Sequence, residues 1–245
     1  MKPLAGQTAI ITGGVRRIGR ATALALSQLG AAIVINARSS REEAEAVQQE
    51  IMDAGGKAIV CLGDIRDEVF VGQMIDQTIA AFGRLDILVN NASIRADSEF
   101  LTLSLAEWKD VSSIILDGAF VCAKAALPHM LKTGAGRIVN VGGVSAHVGA
   151  ANRAHVVTAK AGLVGLTRAL ACEFSPRGVT VNCVVPGKIG GKRSATSGKG
   201  IDAAPITPEE GAVEDVAHMI AHLCLPASRY ITGQSLHVSG GMFMP

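Results

Sequence analysis

Short apolar runs alternate along this chain with longer segments of helical periodicity, and that alternation dictates βαβ units and a parallel sheet. Strands are expected at 8–12, 31–36, 57–62, 85–90, 137–141, 180–185 and 235–238. Helices are expected at 18–29, 41–54, 69–82, 107–132 and 153–174, with Gly55-Gly56 ending the second. The fold class is therefore α/β, a doubly wound (Rossmann-type) parallel sheet of about seven strands with helices on both faces. At 245 residues the chain reads as a single domain, 1–245. Hydrophobic residues make up 49% and aromatics 3%, so the core must be Ala, Val, Ile and Leu.

The same composition excludes several function classes. A net charge of +2 gives no case for nucleic acid or a membrane surface. Charged residues are 18%, below the usual quarter, which implies surface buried against other subunits. Cys61, Cys122, Cys172, Cys183 and Cys224 are scattered, lack metal-ligand spacing and sit in apolar runs, as small core residues do. No metal site is expected. No signal peptide is visible after Met1, and no uncharged apolar stretch reaches the length of a membrane span. The expected location is cytoplasmic and reducing.

Thr12-Gly13-Gly14-Val15-Arg16-Arg17-Ile18-Gly19 lies between the first strand and the first helix. Glycine there permits a tight turn and close approach to a pyrophosphate, which the helix N-terminus attracts. The second strand ends Asn36-Ala37-Arg38-Ser39. An acid at that point would accept hydrogen bonds from the adenosine ribose. Its absence, with Arg38 and Ser39 able to hold a 2′-phosphate and Arg16 and Arg17 nearby, points to NADP(H) over NAD(H). The segment 187–208 breaks the strand–helix rhythm beyond a strand end, where such sheets bind ligands, and reads as a substrate lid.

Further pieces make the pattern specific: Gly63-Asp64-Ile65, Asn90-Asn91-Ala92, Gly136-Arg137-Ile138-Val139-Asn140, Lys160-Ala161-Gly162, Val181-Asn182 with Pro186-Gly187, and Ile231-Thr232-Gly233-Gln234. With the glycine turn, they resemble the short-chain dehydrogenase/reductase superfamily along nearly the whole chain, and the 3-oxoacyl-carrier-protein reductase type in particular. The resemblance implies an oxidoreductase fold in which Gly13 and Ile18 line the phosphate turn. Asp64 and Ile65 contact the adenine, and Asn90 and Ala92 line the cofactor path. Lys160 binds the nicotinamide ribose, and Pro186, Gly187 and Ile189 cover the nicotinamide end. It also implies a homotetramer paired through the long helices from Glu107 and Arg153, with the tail Met242-Phe243-Met244-Pro245 at another interface. Two positions depart from the family: Arg17 replaces its middle glycine, as in pteridine-reductase-like members, and Ser93 replaces the glycine after Asn-Asn-Ala.

The larger departure concerns chemistry. The family reduces carbonyls with a tyrosine acid, a lysine that lowers its pKa, a serine on the carbonyl oxygen and an asparagine that holds a relay water. Aligned through Lys160, these positions are Val156, Gly143 and Ile115, so Lys160 alone remains as a catalytic residue. His147, in the loop after the fifth strand, is the candidate substitute acid; His155 is expected to be a satisfied or surface histidine. Arg95, Arg153, Lys188, Lys192, Arg193 and Lys199 make a basic mouth suited to an anionic small molecule. Three functions stay open: a non-catalytic or regulatory NADP(H)-binding member, partnered with itself or an active homologue; an oxidoreductase with an unusual proton donor such as His147; or a fold reused for non-redox chemistry.

Overall fold

The computed structural model describes residues 2–190 and 204–245. Seven parallel strands form one sheet in the order β3-β2-β1-β4-β5-β6-β7. They are β1 (Thr8–Ile11), β2 (Ala32–Ala37), β3 (Lys57–Leu62), β4 (Ile87–Asn90), β5 (Arg137–Val141), β6 (Thr180–Pro186) and β7 (Ser235–Val238). The expected doubly wound sheet is present, with strand ends shifted by one or two residues. The helices are α1 (Arg17–Gln28), α2 (Arg41–Asp53), α3 (Glu68–Phe82), α4 (Leu105–Ser112), α5 (Gly118–Thr133), α6 (Ser145–Val148), α7 (Ala154–Phe174) and α8 (Val213–Cys224).

Successive strand residues face opposite sides of the sheet, so each strand feeds two cores. Ala9, Ile11, Ile33, Ile35, Ile87 and Val89 pack with α1, α2 and α8. Ile10, Val34, Leu88, Ile138 and Val181 pack with α3, α5 and the end of α7. A period of two in fully apolar strands therefore fills both layers, as the uninterrupted runs require.

Three elements differ from the sequence reading. The expected helix 107–132 starts earlier, at Leu105, because Ser104 and Glu107 cap each other's backbone N–H groups. It also contains a π turn, Ser113–Asp117, between α4 and α5. Helix α8 was not expected, although Val213, Val216, Ala217, Ile220 and Cys224 follow its period and all but Val213 are buried. Its start is fixed by the Asp215 carboxylate, which accepts from the Ala212 N–H at 2.7 Å. Cys172 is exposed on α7, so it is not the core cysteine its neighbours suggested. The segment Leu105–Thr133 is long and apolar enough to cross a membrane, but 56% of its most apolar window is buried, as in a core helix.

After β3 the chain crosses back to place β4 on the other side of β1. That reversal opens a crevice beyond the strand ends, the usual ligand position in an open α/β sheet.

Candidate functional site

The crevice is built by joining two turns. Asn91, just after β4, donates its Nδ2 to Thr12 O and Gly13 O, each at 3.0 Å. In return, Thr12 Oγ1 accepts from the N–H groups of Asn91 and Ala92 at 2.9 and 3.0 Å. The turns approach so closely that a Cβ on Gly13 would lie 3.1 Å from Ala92 Cα, and Gly13 has a φ of +61°. A Cβ on Gly19 would meet Gly13 O at 2.2 Å. Glycine at both positions is thus dictated by backbone contact.

Arg17 occupies the left-handed region with φ +48°, a conformation that favours glycine. An L-residue there costs about 1–2 kcal/mol. Its Nη2 donates to Ile189 O at 3.1 Å and Gly190 O at 2.9 Å, linking the first turn to the chain after β6. Arg16 turns toward α2 and forms an ion pair with Glu43. Glu43 thus offsets much of the charge expected from Arg16.

One cavity, about 280 Å³, lies over the ends of β1, β2 and β3 and is lined by Gly13, Arg16, Arg38, Ser39, Asp64 and Ile65 among others. Buried Asn36 also lines it, with Nδ2 donating to Cys61 O and Gly63 O at 3.2 Å. The Asp64 carboxylate accepts from Arg66, whose guanidinium also reaches Asp110 at 2.7 Å. Arg66 holds the Asp64 carboxyl below its ordinary range against the opposing effect of burial. Arg38 and Ser39 are exposed at the rim.

A second cavity of about 170 Å³ continues the crevice over β5 and β6. Ile18, Asn91, Pro186, Gly187 and Ile189 line one side, and Gly143, Ser145, Val156 and Lys160 the other. Lys160 is 7% exposed and its Nζ donates to Val141 O at 2.5 Å. Burial pushes its ammonium down from 10.5 to about 8; the nearby Cys183 opposes this and Arg95 adds to it.

Ile115 and Val156, 2% and 7% exposed, pack in one apolar cluster with Val111, Ala119, Ala159 and Leu163. Ile115 lies in the π turn, an irregularity that often marks functional positions. A Cβ on Gly143 would find only Ser145 Oγ, at 3.8 Å. The Ser145 hydroxyl makes no hydrogen bond among the described residues and faces this space, a feature the sequence reading passed over. Asn91 was missed in the same way. The expected Asn90 instead donates to Asn140 Oδ1 at 2.9 Å, and lines neither cavity.

The histidines are placed differently from expectation. His147 is outside the cavity lining and packs its ring 4.5 Å from His237 and 5.1 Å from Phe243. Burial lowers the pKa of both histidines. His155 is 1% exposed and neither ring nitrogen has a hydrogen-bond partner among the described residues, so it is neither at the surface nor satisfied. The basic mouth is partly neutralised. Arg153 pairs with Asp97 at 2.5 Å, and Lys188 with Glu210 at 3.0 Å. Lys192, Arg193 and Lys199, and most of the expected lid, lie outside the described residues.

This crevice on a seven-stranded parallel sheet defines the class, a nucleotide-crevice α/β protein. The family model described as enoyl-(acyl carrier protein) reductase matches residues 13–243. The chain belongs to the short-chain dehydrogenase/reductase superfamily of oxidoreductases. It is 40% identical over the full length of both chains to a 3-oxoacyl-[acyl-carrier-protein] reductase of Synechocystis. It is 37% identical to the Staphylococcus aureus protein of that name, covering 97% of this chain and 98% of that one. A dehydrogenase/reductase structure from Sinorhizobium meliloti superposes with a TM-score of 0.91 at 35% identity, covering 98% and 96% of the two chains.

The Lys160 amine sets a pH dependence. Its folded pKa lies below that of the unfolded chain, so from about pH 8 up to the ordinary lysine value the unfolded chain holds a proton the fold lacks. Stability therefore rises with pH across that window. The full effect is on the order of 3 kcal/mol, at about 1.4 kcal/mol for each tenfold change in proton affinity. Urea unfolding from pH 7.5 to 10.5 is expected to show the parent gaining on Lys160→Met as pH rises. A constant gap between the two proteins would contradict the assignment.

Proposed function

We propose that this chain is an NADP(H)-binding member of the superfamily whose carbonyl-reduction machinery is lost, and that it acts in a non-catalytic or regulatory role. One observation carries the reading. Two of the family's three missing polar positions, Ile115 and Val156, pack against each other's neighbours as core. They flank the lysine that remains, and the third position, Gly143, has no side chain.

The residues present fit the dinucleotide. The close turn at Gly13 and Gly19 leaves backbone where a pyrophosphate would lie, and the two cavities run on along the strand ends. The larger would take the adenosine end against Ile65, with Arg38 and Ser39 at the 2′-position. The smaller would take the nicotinamide ribose against Lys160. No acid stands at the end of β2, where Asn36-Ala37-Arg38-Ser39 lies, and the Asn36 amide is committed to the β3 end. When bound, the cofactor supplies a hydride. The chain must then steady the developing alkoxide, and neither Val156 nor Gly143 offers a side-chain donor. Lys160 is engaged by the ribose.

The basic lining of Arg95, Arg153, Lys160 and Lys188 supports an anionic small-molecule ligand, although Arg153 and Lys188 are also paired with acids. The relatives' family supports a homotetramer, and exposed Phe120 on α5, with Met244 in the tail, supplies apolar surface for it. Light scattering at micromolar concentration is expected to give a tetramer; a stable monomer would reject that assembly.

Nicotinamide fluorescence titration is expected to give tighter binding of NADPH than NADH. Arg38→Asp should weaken NADPH by about 1–3 kcal/mol, the scale of a hydrogen bond to a charged group. Equal affinities would remove the NADP assignment.

Turnover of ordinary ketones and 3-oxoacyl substrates is expected to be near background. Loss of a positioned acid costs about 10²–10⁴-fold, and loss of an oxyanion donor a further factor of about 10²–10³. Ile115→Asn, Gly143→Ser and Val156→Tyr together should raise NADPH oxidation over a carbonyl panel. Robust turnover by the parent would refute the reading, and its loss in His147→Ala would identify the acid.

A further inference from the structure

We propose that in the cofactor-free protein the Lys160 amine is a nucleophile, which condenses with the carbonyl of a small anionic oxo acid in the 170 Å³ cavity to form an imine at Nζ. This goes beyond a silent reductase scaffold, because it gives the same lysine a use that needs none of the lost side chains.

The environment of the amine carries the argument. Among the described residues its one hydrogen bond goes to Val141 O, and it has no ion-pair partner. The groups that face it are cationic or neutral. Arg95 approaches from the loop after β4, Arg153 from the start of α7 and Lys188 from the chain after β6. The Cys183 thiol on β6 is itself pushed up to about 11 by burial, and it offsets only part of the effect of burial on the amine. Among the described residues no carboxylate lines the cavity, and Asp97 and Glu210 are turned to Arg153 and Lys188. A desolvated lysine beside another cation is the recurrent way to obtain a neutral, nucleophilic amine near neutral pH. The same depression of its pKa leaves a substantial neutral fraction near pH 8.

The cavity also selects the carbonyl. Arg95, Arg153 and Lys188 on the cavity wall offer charged donors to a carboxylate. Ile18, Val156 and Ile189 give an apolar wall for the short carbon chain. A cavity of about 150 Å³ accommodates a ligand of benzene's size, so an oxo acid such as pyruvate fits this one. The step is balanced without redox change. The nitrogen lone pair attacks the carbonyl carbon, and the oxygen gains a proton to give a carbinolamine. Loss of the two amine hydrogens with that oxygen releases one water and leaves the C=N bond. The Ser145 hydroxyl, which lines the cavity and makes no hydrogen bond among the described residues, is placed to pass the proton.

The test uses the full chain, freed of nucleotide, with pyruvate as probe and cyanoborohydride to reduce any imine to a stable amine. Intact mass and peptide mapping then locate the label. The expected result is one label per chain, on Lys160, forming faster than on any exposed lysine by on the order of tenfold or more. The rate should rise through about pH 8, fall with acetone in place of pyruvate, and vanish in Lys160→Arg. Mapping on the parent keeps the test valid if that variant folds poorly. Absence of label on Lys160, or label no faster there than on exposed Lys57, would overturn the proposal. Added NADPH should protect Lys160. Labelling that NADPH fails to block would leave the imine standing and count against the dinucleotide reading instead.

Discussion

The side-chain hydrogen bonds between Thr12 and Asn91 hold the ends of β1 and β4 together, and the crevice depends on them. These strands are neighbours only because the chain reverses direction across the sheet after β3. Four short bonds at that reversal fix the distance between two backbone turns. The fixed distance demands glycine at 13 and 19, and Gly13 and Asn91 at this junction line the two cavities. A looser junction would fill with side chains and close the groove.

Around this junction the protein separates two kinds of conservatism in its construction. The nucleotide half keeps its polar fittings: Asn36 bridges to β3, Asp64 is locked by Arg66, and Arg17 accepts a strained backbone to hold the chain after β6. The wall of the second cavity at Val156, with Ile115 behind it, is apolar. Ile115 and Val156 share neighbours on α4, the π turn and α7, so each is favoured by the other's presence. Placing an amide or a phenol there requires a hydrogen-bond partner or water, since an unpaired buried polar group costs about 1–3 kcal/mol. A polar substitution at either position would therefore also be a change in packing.

Lys160 shares the second cavity with this apolar wall. An amine buried among aliphatics and cations is unstable as an ammonium, and a fold normally removes such a residue or gives it an anion. Here the nearby acids serve Arg153 and Lys188, and the amine keeps a single carbonyl partner. That arrangement makes sense when a ligand supplies the missing contacts, be it ribose hydroxyls or a reactive carbonyl.

The sequence by itself determined the sheet, its two apolar faces, the glycine turn, the lysine and the presence of Ile, Gly and Val at 115, 143 and 156. These follow from local patterns: continuous apolar runs, a period of 3.6, and motif spacing along the chain. It also contained α8, whose apolar period was legible, and the Ser104–Glu107 cap, which sets where α4 begins. Only the tertiary structure decided the rest. It sent Arg16 to Glu43 and Arg17 to Ile189 and Gly190, turned His147 toward His237 and Phe243, buried His155 with no hydrogen-bond partner among the described residues, and set Asn91 rather than Asn90 at the crevice. The physical reason is distance along the chain. Arg17 and Ile189 are 172 residues apart, and Asn91 and Thr12 are 79 apart. Which way a charged or polar side chain turns is set by the partner that folding brings to it, and no local pattern encodes that partner.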